Sequence, residues 1–137
     1  MKPMLILVAD DEAYVTTVVG AQLRRRGYEV IVAGDGQEAL ALAQEHHPDL
    51  IVSDYQMPLV SGLEMAMQLR KDARTCDIPI IMMTARGHRL RPSELAQTNI
   101  QCLQSKPFSI KELLSKVEEL AARRRETADP SPARDVA

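Results

Sequence analysis

The sequence predicts a doubly wound α/β domain: a five-stranded parallel sheet with five helices packed on its two faces. Three observations predict it. Five short runs are apolar almost throughout, as strands covered on both faces require. Longer segments between them carry apolar residues at every third or fourth position, the period of an amphipathic helix. The two patterns alternate along the chain, which argues for parallel strands joined by right-handed helical crossovers.

The strand runs are Met4 to Ala9, Val30 to Ala33, Leu50 to Ser53, Ile78 to Met83 and Ile100 to Leu103. In the first helical segment Val15, Val18, Val19 and Leu23 share a face; in the last, Ile110, Leu113, Leu114, Val117 and Leu120 do so. Asp35, Ser61 and Ser109 each precede a glutamate by three residues (Glu38, Glu64 and Glu112), the spacing of a capping box. Gly27 follows Arg24 to Arg26, a glycine stop behind cations that suit a helix C-terminus. The fourth helix is predicted to be short, from about Pro92 to Thr98 with Asn99 as a left-handed cap, because Pro92 fits a first helical turn and not an interior. The domain is expected to span residues 1–122, and 123–137 reads as a frayed helix end running into a disordered tail.

At 137 residues with 45% hydrophobic content, the chain has room for one domain with a full core. Its 17 basic and 19 acidic residues give a net charge of -2, which offers no bulk attraction to nucleic acid or anionic membrane. The opening run, MKPMLILVADDE, is too short for a signal peptide or membrane span, so a cytoplasmic protein is expected. Cys76 and Cys102 form no CxxC pair and read as reduced packing residues. The Met65, Met67, Met82 and Met83 side chains read as core filler, and His46, His47 and His88 as solvated surface groups. The arginine runs lack interleaved aromatics and read as helix-end electrostatics, with no nucleic-acid contact expected.

The ends of the strands carry the chemistry. Strand one ends in Asp10 and Asp11, strand three in Asp54, strand four in Thr84, and strand five in Ser105 and Lys106. In an open doubly wound sheet the carboxyl edge holds the ligand crevice; in the flavodoxin-like order 2-1-3-4-5, strands one and three are neighbours about 4.8 Å apart. Asp10, Asp11 and Asp54 would then converge. Three such carboxylates repel one another and call for a cation, and hard oxygen ligands at an exposed crevice favour Mg2+. A divalent cation, a lysine and a hydroxyl around one carboxylate form a site able to stabilise a phosphoryl group in transfer. Taken singly, each residue also has an ordinary reading: an aspartate after a strand caps a turn or helix, and Thr84 or Lys106 could be surface groups.

Four stretches together, ILVADDE, DYQMP followed four residues later by Gly62, Thr84-Ala85 and Lys106-Pro107-Phe108, give the chain a family resemblance. It resembles a receiver domain of a two-component response regulator, of the single-domain chemotaxis type, over about residues 4 to 122. The resemblance implies that Asp54 takes a phosphoryl group from a phosphohistidine of a sensor kinase or phosphotransfer protein. It implies Mg2+ held by Asp11, Asp54 and the backbone carbonyl of Gln56, with Asp10 acting through a bound water. Thr84 would donate its hydroxyl to the phosphoryl group, Lys106 would pair with another oxygen, and the Lys106-Pro107 bond would be cis.

Output would pass to a protein partner through the face of helix 4, strand 5 and helix 5. In this family an aromatic ring usually stands three residues before the lysine; here that position is Leu103. Gln56 and Arg86 occupy the two positions that tune water access, and the long Arg86 side chain implies slow hydrolysis of the phosphoryl group. A phosphorylation-independent pseudo-receiver is the alternative. A haloacid-dehalogenase-like phosphatase would place D-x-D on strand one, and a nucleotide-binding Rossmann domain would place G-x-G-x-x-G after it; neither pattern is present.

Overall fold

The computed structural model describes residues 2–85, 88–106 and 109–128. Strands β1 (Leu5–Ala9), β2 (Glu29–Ala33), β3 (Leu50–Asp54), β4 (Ile80–Thr84) and β5 (Ile100–Ser105) alternate with helices α1 (Ala13–Arg25), α2 (Gly36–His46), α3 (Gly62–Lys71), α4 (Pro92–Leu95) and α5 (Ile110–Ala128). All pairings are parallel, in the order β2-β1-β3-β4-β5. This is the predicted flavodoxin-like topology.

The strands read as continuous apolar runs because successive residues fill two different cores. Ile6, Val8, Leu50, Val52, Ile81 and Met83 pack with Val19, Leu23, Leu113 and Val117 of α1 and α5. Leu7, Ala9, Ile51, Ile80 and Met82 point the other way, into a core with Leu63, Met65, Ala66 and Leu69 of α3. At roughly 1.5–3 kcal/mol per fully buried large apolar side chain, these two layers hold the sheet edge in place.

Of the predicted capping boxes, the forward bond forms at all three starts. Asp35 and Ser61 accept hydrogen bonds from the backbone N–H groups of Glu38 and Glu64 at 2.7 and 3.1 Å, and Ser109 accepts one from Glu112 at 3.3 Å. Gly27 ends α1 at φ +93°, with the Tyr28 N–H donating to the Leu23 carbonyl.

Two expectations need correction. The fourth helix stops at Leu95, short of Thr98, because Thr98 closes the turn with its own hydroxyl, which donates to the Leu95 carbonyl and accepts from the Ile100 N–H. Asn99 is not its left-handed cap: among the described residues, the non-glycine positions at positive φ are His47 and Leu59. The last helix continues past Arg123 to Ala128. Strong helix formers occupy that stretch, Arg123 pairs with Glu119 one turn back at 2.6 Å, and Arg124 donates to the Asp77 carbonyl at 3.2 Å. Residues 129–137, the expected tail, lie outside the described residues.

Candidate functional site

The pairing register brings the chemical groups to one edge. Ala9 lies opposite Ser53 and Asp54 opposite Met83, so Asp10 and Asp11 leave β1 beside the last residue of β3. Thr84 lies opposite Ser105, and the Lys106 N–H donates to the Thr84 carbonyl at 2.8 Å, which carries β5 up to the same edge. Behind Asp54 the chain is clamped on both sides. The Tyr55 N–H donates to the Met83 carbonyl at 2.8 Å, and the Gly62 N–H donates to the Tyr55 carbonyl at 2.9 Å. Gly62 is required there, since a Cβ at that position would sit 2.3 Å from the Asp54 carbonyl oxygen.

Carboxylate oxygens of Asp10, Asp11 and Asp54 all lie within 4.8 Å of one another. The Nζ of Lys106 is 3.2 Å from Oδ1 of Asp54 and 3.6 Å from Oδ2 of Asp10. Asp10 serves two purposes. Its Oδ1 accepts from the Glu12 N–H at 2.9 Å, an Asx turn that leads the chain into α1, whose N-cap residue Glu12 makes no side-chain capping bond. Its Oδ2 is buried with no hydrogen-bond partner among the described residues. A buried carboxylate oxygen without a donor is costly, and a cation between the three carboxylates removes that cost. The donor set therefore fits a hard divalent ion.

Electrostatics follow from burial. Asp10 is raised from the usual 3.8 to about 6, chiefly by burial, with the charge on Asp54 adding to the shift and the Glu12 amide opposing it. Burial also raises Asp54, and the Lys106 charge offsets only part of that. Burial acts to lower Lys106, but the charges of Asp54 and Asp10 outweigh it and hold the ammonium above its usual value. Beside the carboxylates, an open cleft of about 370 Å³ is lined by Asp11, Tyr55, Gln56, Met57, Pro58 and Ser61.

Residues 6–118 match the family model of the response regulator receiver domain. The chain belongs to that family. Among relatives of this receiver domain is the phosphate regulon transcriptional regulatory protein PhoB of Pseudomonas aeruginosa, 36% identical over 86% of this chain and 52% of that protein. The chain spans about half the length of the curated relatives it matches. In structure, the receiver domain is similar to the chemotaxis response regulator CheY4 of Vibrio cholerae. The TM-score is 0.79 and the identity 31%, covering 87% of this chain and 99% of that one. It is also similar to the receiver domain of the sensor histidine kinase PA1611 from Pseudomonas aeruginosa. There the TM-score is 0.76 and the identity 27%, covering 87% and 98% of the two chains, and that structure has a magnesium ion coordinated in its active-site cleft.

Of the residues singled out in the sequence, Asp10, Asp11, Asp54 and Lys106 meet directly, Thr84 stands at the edge beside them, and Gln56 lines the cleft. Leu103 lies apart on β5, with 41% of its surface exposed. Arg86, Pro107 and the Lys106-Pro107 bond lie outside the described residues. One contact had no signal in the sequence. The rings of Tyr55 and His88 lie 4.4 Å apart at a 45° tilt, so His88 is not merely solvated. No periodicity links positions 55 and 88.

Proposed function

We propose that this receiver domain is a working phosphoacceptor switch, with Asp54 as the nucleophile. The supporting observation is the trio of converging carboxylates with one lysine bridging two of them. An Asp54 oxygen attacks the phosphorus of a phosphohistidine on a sensor kinase or phosphotransfer protein. The N–P bond breaks, its electron pair stays on the imidazole nitrogen, and Asp54 becomes an acyl phosphate. Asp10, Asp11, Asp54 and the Gln56 carbonyl would hold Mg2+, which when bound neutralises charge on the phosphoryl oxygens. Lys106 stays within reach of Asp54 and pairs with an oxygen of the transferred group, and the Thr84 hydroxyl donates to another.

The protein catalyses only its own phosphorylation and dephosphorylation, and passes the signal to a partner protein from the α4-β5-α5 face. No helix of the described residues is long and apolar enough to cross a membrane. The relative PhoB is named a transcriptional regulator; this reading concerns the receiver portion alone. A phosphorylation-independent pseudo-receiver finds no support in a site that keeps Asp10, Asp11, Asp54, Thr84 and Lys106.

Intact-mass measurement after incubation with acetyl phosphate and Mg2+ tests the proposal. The gain of one phosphoryl group in the wild type, absent without Mg2+ and absent in Asp54→Asn, is the expected result. Equal gain by Asp54→Asn would refute it.

A further inference from the structure

At the amino ends of β4 and β5, on the sheet edge opposite the three carboxylates, lies a second cleft, of about 200 Å³. The strands fix its framework. The Ile51 N–H donates to the Pro79 carbonyl at 3.0 Å, and the Ile80 N–H donates to the Asn99 carbonyl at 3.1 Å. Buried Pro79 and Leu120 give the cleft an apolar lining. Beside them stand the carboxamides of Asn99 and Gln101, joined by a bond of 2.8 Å from Gln101 Nε2 to Asn99 Oδ1. Arg124 of α5 completes the wall, and its guanidinium is only partly used. Its Nη1 donates to the Asp77 carbonyl at 3.2 Å and lies at the same distance from the Asp77 carboxylate. Its Nε is buried and has no hydrogen-bond partner among the described residues. A buried donor without an acceptor is costly. Nε and Nη2 together form the side of a guanidinium that can pair with both oxygens of one carboxylate.

The surrounding charge narrows the ligand. Arg123 pairs with Glu119 at 2.6 Å and Arg124 with Asp77, so two cations are matched by two carboxylates. That balance favours a monoanion over a phosphate dianion. The apolar lining favours an aliphatic stem behind the charged group. We propose that this cleft binds a small carboxylic acid as its anion, with the carboxylate on Nε and Nη2 of Arg124 and a short aliphatic stem against Pro79 and Leu120. The inference is independent of the phosphoacceptor reading, because the cleft shares no residue with the aspartate site.

The test titrates the full isotope-labelled chain with acetate, butyrate and chloride at one ionic strength, and follows the Arg124 Nε–H and Gln101 carboxamide resonances. Butyrate should shift both saturably and bind about three- to tenfold more tightly than acetate, since it buries two more methylene groups. Arg124→Lys keeps the positive charge but loses the paired donors. Read through Gln101, its butyrate affinity should fall by at least about tenfold. No saturable shift with butyrate, equal affinity for acetate and butyrate, or an equal response to chloride overturns the proposal. Undiminished butyrate binding in a folded Arg124→Lys protein also overturns it; if that variant does not fold, the acetate and butyrate titrations of the wild type still decide. A blocked glutamyl peptide offers the same carboxylate on a protein side chain. Tighter binding of that peptide than of butyrate would overturn the small-acid assignment in favour of an acidic side chain on a protein partner.

Discussion

The Nζ of Lys106 lies 3.2 Å from Oδ1 of Asp54, at a strand end that brings a cation to three converging carboxylates. The ammonium is also 3.6 Å from Asp10, so a single side chain partly balances two buried negative charges. In Lys106→Met those charges lose their counter-ion, and the metal-free protein should be destabilised by about 1–3 kcal/mol. Mg2+ supplies the missing positive charge. The gap in melting temperature between variant and wild type should therefore narrow when Mg2+ is added, and a gap unaffected by Mg2+ would count against a cation site among these carboxylates.

Asp54→Asn removes one of three mutually repelling carboxylates and keeps the side-chain shape. Folding stability measured by denaturant should not fall by more than about 0.5 kcal/mol. Mg2+ affinity should drop in the same variant. A protein that fails to fold would show that Asp54 is a structural residue.

Asp10 gives the site a pH dependence. Its folded-state value of about 6 exceeds the ordinary 3.8, so between those values the folded chain holds a proton that the unfolded chain releases. The contribution of this group to stability therefore rises as pH falls through 6 and levels off below about 3.8. Metal-free wild type should gain stability relative to Asp10→Asn between pH 7 and pH 5. Mg2+ binding, which competes with the same proton, should weaken over that range. Thermal melts of both proteins at the two pH values, with and without Mg2+, check both directions.

Gly62→Ala should act on the site from behind. The added Cβ would lie 2.3 Å from the Asp54 carbonyl, a backbone atom that cannot swing aside. The cost should be about 1–3 kcal/mol, together with a larger fractional loss of Mg2+ affinity than an equally destabilising core change such as Ile51→Val. Titration of the two variants side by side separates a displaced carboxylate from general loosening.

The extent of α5 predicts where truncation begins to hurt. A chain ending at residue 122 loses the Arg124 contacts to the carbonyl and carboxylate of Asp77, both at 3.2 Å, and should be less stable by about 0.5–1.5 kcal/mol. A chain ending at residue 128 should melt with the full protein.

The topology and most of the site were legible in the sequence because they rest on local signals. Continuous apolar runs announced buried parallel strands, the capping residues announced helix starts, and Asp10, Asp11, Asp54, Thr84 and Lys106 all stood at strand ends, so strand order alone brought them to one edge. What escaped depends on contacts between distant residues or on competing local bonds. The hydroxyl of Thr98 ended α4 early, where propensity favoured another turn. Arg124 held α5 beyond the last apolar position by reaching across to Asp77. The Tyr55–His88 contact joins two loops whose approach is set only once β3 and β4 are paired.

The account stands on Asp54 being the residue that accepts the phosphoryl group, and borohydride trapping tests that most directly. An acyl phosphate is reduced by borohydride to the alcohol, so an aspartate that carried the phosphoryl group becomes homoserine, which fragment sequencing locates. After loading from a phosphohistidine donor in the presence of Mg2+, homoserine at position 54 alone is the predicted result. Homoserine at position 10 or 11, or a stable phosphoryl group on a hydroxyl such as Thr84, would contradict it.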